Sequence, residues 1–144
     1  MKILVVDDEL DIKSLFEQYF RREIRNGELE LCFAHSGESA LDFFNSHETE
    51  VVLILSDINM PGMSGLQLLE KIRMTHPGVL PVIMMITAYG DEDNRNEALR
   101  LGANEFLVKP IDFTNLKEKL KSIKNYELRI TNYELRISFF KGKF

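Results

Sequence analysis

The stretch Val51-Val52-Leu53-Ile54-Leu55-Ser56-Asp57-Ile58-Asn59-Met60-Pro61-Gly62 joins an unbroken apolar run to a carboxylate and a Pro-Gly turn. A short, branched run without alternation reads as a strand buried on both faces. Asp57 then stands at the C-terminal edge of a buried sheet, where open α/β folds place their chemistry. Two other stretches reach the same edge. Asp7-Asp8 closes the strand Ile3-Leu4-Val5-Val6, and Lys109 closes Glu105-Phe106-Leu107-Val108 just before Pro110.

Working outward, strands and helices alternate. Residues 2–6 predict the first buried strand. A helix follows with Ile12, Leu15, Phe16, Tyr19 and Phe20 on one face, stopped by Asn26-Gly27. Residues 29–34 alternate Leu29, Leu31 and Phe33 against Glu28, Glu30 and Cys32, a strand nearer the sheet edge. Ser36-Gly37 opens a second helix with Ala40, Phe43 and Phe44 inward. Ser64 and Gln67 have the spacing of a capping box, and they start a third helix with Leu66, Leu69 and Ile72 inward. His76-Pro77-Gly78 ends it. Residues 80–86 predict a fourth buried strand, ending at Thr87-Ala88. A short acidic helix over about 91–101 closes at Gly102, strand five covers about 104–108, and the last helix begins near Asp112.

Five strands alternating with five helices predict a doubly wound α/β fold, a parallel sheet with helices on both faces. The expected order is the flavodoxin-like 2-1-3-4-5, which sets strands 1 and 3 side by side, so that Asp7, Asp8 and Asp57 converge. The order 3-2-1-4-5 would separate them, and the pattern alone does not decide between the two.

Composition narrows the class. The 144 residues are 44% apolar and 28% charged, which suits one soluble domain with a real core. No apolar run approaches the ~20 residues that span a bilayer, and the N-terminus enters a strand without a signal-peptide pattern. The single cysteine, Cys32, excludes an internal disulfide, fits a reducing cytoplasm, and reads as a buried structural thiol. Residues 117–144 carry eight Lys/Arg against three Glu, a net +5, so the preceding 116 residues carry −10. An acidic body argues against a nucleic-acid surface and is compatible with a cation site.

Three carboxylates cannot crowd together bare, because like charges repel and raise each other's pKa. A hard divalent cation resolves this. Mg²⁺ takes oxygen ligands and keeps waters or phosphate oxygens in its shell. Lys109 adds a point charge suited to phosphate, and Thr87 offers a hydroxyl to a phosphoryl oxygen. Asp57 can be the nucleophile, since carboxylates form aspartyl-phosphates. Each feature alone has a plain structural explanation: a helix cap for the Asp pair, a turn residue for Lys109, a cap for Thr87. Their coincidence at the C-terminal ends of different strands favours chemistry.

These residues resemble the receiver domain of two-component response regulators, of the chemotaxis-receiver kind. The likeness covers about residues 1–122. It rests on Ile3-Leu4-Val5-Val6-Asp7-Asp8-Glu9, on Leu55-Ser56-Asp57-Ile58-Asn59-Met60-Pro61-Gly62-Met63-Ser64-Gly65, on Ile86-Thr87-Ala88, and on Gly102-Ala103-Asn104 running to Val108-Lys109-Pro110. The resemblance implies that Asp57 accepts a phosphoryl group from a histidine kinase or phosphotransfer protein. It implies that Asp8 and Asp57 bind Mg²⁺ directly, Asp7 through water and Asn59 by its backbone carbonyl. Thr87 and Lys109 would hold phosphoryl oxygens, and the Lys109–Pro110 peptide would be cis. Thr87 and Phe106 would form the switch pair, and Asn59 and Tyr89 would tune hydrolysis of the aspartyl-phosphate. Output would be binding to a protein partner through the fourth helix, fifth strand and fifth helix.

Residues 125–130, Asn-Tyr-Glu-Leu-Arg-Ile, are repeated at 132–137. The segment 123–144 reads as a C-terminal extension, either a prolonged last helix or a hairpin around Thr131-Asn132. Its apolar stripe makes self-association plausible. It is too short for a DNA-binding output domain, so the expectation is a stand-alone, cytoplasmic regulator. That regulator would be a phosphoacceptor switch rather than an enzyme, capable at most of self-phosphorylation from small donors and autodephosphorylation. A phosphatase of the haloacid-dehalogenase kind is the enzymatic rival. It needs an acid two residues after the nucleophile, where Asn59 stands. The other rival is an interaction module that works without phosphorylation.

Overall fold

The apolar runs become β1 (Lys2–Val6), β2 (Glu30–Ala34), β3 (Val51–Asp57), β4 (Val82–Thr87) and β5 (Glu105–Val108). They pair in parallel in the order β2-β1-β3-β4-β5. The computed structural model describes residues 1–125. Every residue of β3 and of β4 is buried, as continuous apolar strands covered on both faces require. At the sheet edges, β2 and β5 keep exposed positions.

The helices are α1 (Asp11–Tyr19), α2 (Arg21–Arg25), α3 (Gly37–Ser46), α4 (Gly65–Thr75) and α5 (Glu92–Arg100). Ser36 caps α3 by accepting the Ser39 N–H. Ser64 and Gln67 form the reciprocal capping box of α4. Asp91 caps α5. The core gathers Leu4, Val6, Ala40, Phe44, Ile54, Leu68, Leu69, Ile72, Ile83 and Met85.

Several local expectations need correction. The first helix is not continuous. Its axis breaks at Phe20, whose backbone leaves the helical well at φ −106°, ψ 17°. Phe16 and Phe20 are buried with rings stacked at 5.9 Å, while Leu15 and Tyr19 are 40% and 49% exposed. Beyond Phe20 only Ile24 is apolar in α2, which buries nothing, so no stripe holds the axis in line. In α4 the buried position is Leu68, not Leu66, which is only partly covered. Phe43 is likewise partly buried and stacks on His47 at 4.1 Å. Cys32 is half-buried rather than buried, because β2 is the edge strand. Burial still pushes its thiol pKa up. β4 starts at Val82, after Pro81, which has no N–H for the ladder.

The chain divides into two compact units, Met1–Ile111 and Asp112–Phe144. In the second unit the described part is helix α6, residues 113–125. Asp112 caps it, its carboxylate accepting the Asn115 N–H at 3.1 Å. Phe113, Leu116, Leu120 and Ile123 are its buried stripe. The repeated segment expected to extend the helix or form a hairpin lies outside the described residues from 126 on.

Candidate functional site

Strand register assembles the site. Val6 pairs with Ser56, so Asp7 and Asp57 each follow one residue later on adjacent strands. Asp57 pairs with Ile86, placing Thr87 one step beyond. Thr87 pairs with Val108, and Lys109 follows. Backbone bonds carry the ladder past the strand ends: Asp7 N–H to the Ala34 carbonyl at 3.1 Å, and Lys109 N–H to the Thr87 carbonyl at 2.9 Å.

Asp7, Asp8 and Asp57 each present an oxygen within 4.8 Å of the others. Asp7 is 1% exposed and Asp57 7%, while Asp8 faces solvent. The Lys109 ammonium donates to Asp57 Oδ2 at 2.7 Å and lies 3.7 Å from Asp7 Oδ2. Asp7 Oδ1 accepts the Glu9 N–H at 2.9 Å, and Asp57 Oδ1 the Asn59 N–H at 3.3 Å. Asp7 Oδ2 is buried without a hydrogen-bond partner. Burial therefore pushes the Asp7 carboxyl up, and the Glu9 N–H and the Lys109 charge only partly oppose it. For Lys109, burial would depress the ammonium. The hydrogen bond and charge of Asp57, with Asp7 and Glu9, outweigh that and raise its pKa.

Three carboxylates facing one ammonium leave a local excess of negative charge and one orphaned buried oxygen. An oxygen-seeking divalent cation supplies both missing terms, so the donor set fits Mg²⁺. Thr87 is buried at the same edge. Phe106 is half-buried, with the Arg95 guanidinium 4.9 Å over its ring. Tyr89 is 92% exposed, and Asn59 is exposed. The Leu80–Pro81 and Lys109–Pro110 peptides are cis.

Residues 3–121 match the family model described as "Response regulator receiver domain". The chain belongs to the response regulator receiver family. Receivers act as phosphoacceptor switches in two-component signalling rather than as enzymes in the ordinary sense. This receiver is 37% identical to the transcriptional regulatory protein CpxR of Escherichia coli, over 85% of this chain and 48% of that protein. It is 34% identical to response regulator RppA of Synechocystis, over 86% of this chain and 50% of that one. It spans about half the length of both. It is also 32% identical to sporulation initiation phosphotransferase F of Bacillus subtilis, covering 83% of this receiver and 90% of that protein. Among solved structures, a response regulator receiver domain from Clostridium thermocellum superposes with a TM-score of 0.77. It is 27% identical and covers 90% of this chain and 98% of its own.

Two neighbours of the receiver's site escape a reading of the sequence. His35, one residue past β2, lies at the same sheet edge with Nδ1 3.0 Å from the Asp7 carbonyl oxygen. The strand-end rule that singled out Asp7 and Lys109 could have found it. Gly65 opens α4 so close to β3 that a Cβ there would lie 2.8 Å from the Ile58 Cα and would overlap the Asp57 carbonyl oxygen. Its N–H donates to the Ile58 carbonyl at 2.8 Å. No local pattern marks that approach.

Proposed function

We propose that this receiver is a Mg²⁺-dependent switch that takes a phosphoryl group on Asp57 and changes partner binding as a result. The observation that carries this reading is the Asp7–Asp8–Asp57 oxygen cluster with the Lys109 ammonium 2.7 Å from Asp57. A carboxylate oxygen of Asp57 attacks the donor phosphorus, an acyl-phosphate P–O bond forms, and the bond to the donor's leaving group breaks. Attack of water on the acyl phosphate later returns the carboxylate and releases phosphate. Asp8 and Asp57 would hold Mg²⁺ directly, Asp7 through water, and Asn59 through its backbone carbonyl. Bound Mg²⁺ would supply positive charge opposite the phosphoryl oxygens. Lys109 moves from a carboxylate partner to a phosphoryl oxygen, which keeps its charge where negative charge gathers. The Thr87 hydroxyl donates to another.

The phosphate–Thr87 contact would bias Phe106 inward. That movement gives up the cation–π contact with Arg95, worth about 0.5–1 kcal/mol at an exposed site. The phosphate must favour the inward state by more than this to shift the population. Asn59 and Tyr89 flank the site and would set how fast water reaches it. The donor would be a histidine kinase or a histidine phosphotransfer protein in the cytoplasm. The likeness to a sporulation phosphotransferase supports a relay role. Output would pass to a protein partner through the elements α5, β5 and α6, and the segment after 122 would mediate self-association. Catalysis by the receiver itself would be limited to self-phosphorylation from small donors and autodephosphorylation.

The test is intact-protein mass after incubation with Mg²⁺ and acetyl phosphate, with Asp57→Ala alongside. One phosphoryl adduct, absent from the variant and absent without Mg²⁺, is expected. No adduct under any condition would overturn the reading and leave a phosphorylation-independent interaction module.

A further inference from the structure

The loop that runs from Asp57 to α4 is pinned at its far end by a residue of another element. The Glu38 carboxylate, in the first turn of α3, accepts the Met63 N–H at 2.7 Å. The approach is close from both sides. Gly62 has φ +72°, and a Cβ there would sit 2.7 Å from Glu38 Oε1. A Cβ on Gly37, the residue before Glu38, would sit 2.7 Å from the Met63 carbonyl oxygen. One glycine on each partner therefore clears the way for a single contact. Just beyond it Ser64 and Gln67 form the capping box that starts α4, and the Gly65 N–H bond to the Ile58 carbonyl closes the two ends of the loop on each other. Between Ile58 and Met63 lies Asn59, itself exposed, whose N–H reaches Asp57 Oδ1 at only 3.3 Å.

We infer that Glu38 is a positioning residue for the metal site: by holding Met63 it sets where the Asn59 backbone stands relative to Asp57. This rests on the Mg²⁺ reading above. Glu38 touches neither the acidic cluster nor Lys109; it acts through the loop. Its carboxyl is held below the usual carboxylate range by backbone N–H donors, its own and that of Met63, so it is an ionised acceptor near neutrality. An exposed carboxylate of the usual surface kind would be free to leave for water. Here its place is set by the two glycines, and it fixes the exposed end of a loop otherwise held by the Asn59 N–H bond to Asp57 Oδ1 and by the buried Met60 side chain. Groups that orient metal ligands from outside the ligand set act in this way.

The experiment compares wild type, Glu38→Ala and Glu38→Gln, with Mg²⁺ alone as the probe in calorimetric titration. Glutamine keeps an oxygen acceptor for the Met63 N–H and removes the charge. Glu38→Ala is expected to weaken Mg²⁺ affinity about tenfold, the low end of what removing such a partner costs, and Glu38→Gln to stay within about twofold of wild type. At saturating Mg²⁺ the acetyl phosphate reaction of Glu38→Ala should recover, since Asp57, Thr87 and Lys109 are intact. Hydrogen exchange of the Met63 amide in the metal-free protein should quicken in Glu38→Ala only. Equal Mg²⁺ affinity in wild type and Glu38→Ala overturns the inference. So does an equal loss in Glu38→Gln, which would make Glu38 a charge near the site and not an anchor. Wild type that binds no Mg²⁺ sinks the functional reading itself, whereas an unchanged Met63 amide sinks the anchor alone.

Discussion

Asp7 shows how one side chain can be held at a cost to the fold. Its Oδ2 is buried with no hydrogen-bond partner, and Lys109 stands 3.7 Å away, bonded instead to Asp57. An unsatisfied buried polar group costs roughly 1–3 kcal/mol. Asp7→Asn keeps an acceptor for the Glu9 N–H and removes the charge, so it is expected to stabilise the metal-free protein by about 1 kcal/mol in denaturant melts. Burial raises the folded Asp7 carboxyl above its ordinary value of 3.8. The native state then holds that proton more tightly than the unfolded chain. Its contribution to stability falls as pH rises from 3.8 through the raised folded value. The advantage of Asp7→Asn should therefore shrink on acidification through that window. Mg²⁺ should raise the melting temperature of wild type more than that of the variant. A variant less stable than wild type at neutral pH without metal would contradict this account.

At the scale of an element, α4 begins against the C-terminal end of β3. Ser64 and Gly65 are adjacent, yet they do different things. Ser64→Ala removes one side of the capping box and should cost about 1 kcal/mol while leaving acetyl phosphate reactivity per folded molecule unchanged. Gly65→Ala puts a Cβ where the Asp57 carbonyl and Ile58 Cα already are. Backbone must shift, because neither neighbour is a flexible side-chain tip. A loss of about 1–3 kcal/mol is expected, the usual cost of overpacking, together with slower phosphorylation, since the displaced backbone carries Asp57. Melting curves read alongside phosphorylation rates separate the two variants. Equal rates for both would mean that the α4 start does not position Asp57.

Across the whole molecule, charge and chain length set the questions. The first 116 residues carry −10 and the remainder +5. The acidic body is suited to a cation at the sheet edge and unsuited to nucleic acid over a broad face. No helix among the described residues is long and apolar enough to cross a membrane. The repeated Asn-Tyr-Glu-Leu-Arg-Ile segment is proposed to drive self-association. In gel filtration the full chain is expected to elute as a larger species than residues 1–124 alone, and identical monomer elution of both removes the proposal.

The order of strands and helices was legible in the sequence because central parallel strands are continuously apolar and helices announce their caps. Ser36, Ser64 with Gln67, and Gly102 mark boundaries the structure keeps. Asp7, Asp57, Thr87 and Lys109 were legible too, since each ends a strand, and a parallel sheet gathers such ends at one edge. Three things were decided only in three dimensions. The neighbourhood of β1 and β3, which makes the acidic residues a cluster, depends on sheet order, and the alternation of elements is the same for either order. Burial of Leu68 rather than Leu66, and the break at Phe20, depend on which face each helix turns to its neighbours. The contacts of Gly37, Gly62 and Gly65 depend on close approaches between segments far apart in the chain or folded back on themselves. A glycine in sequence records only the absence of a side chain; what occupies that space is a property of the packed molecule.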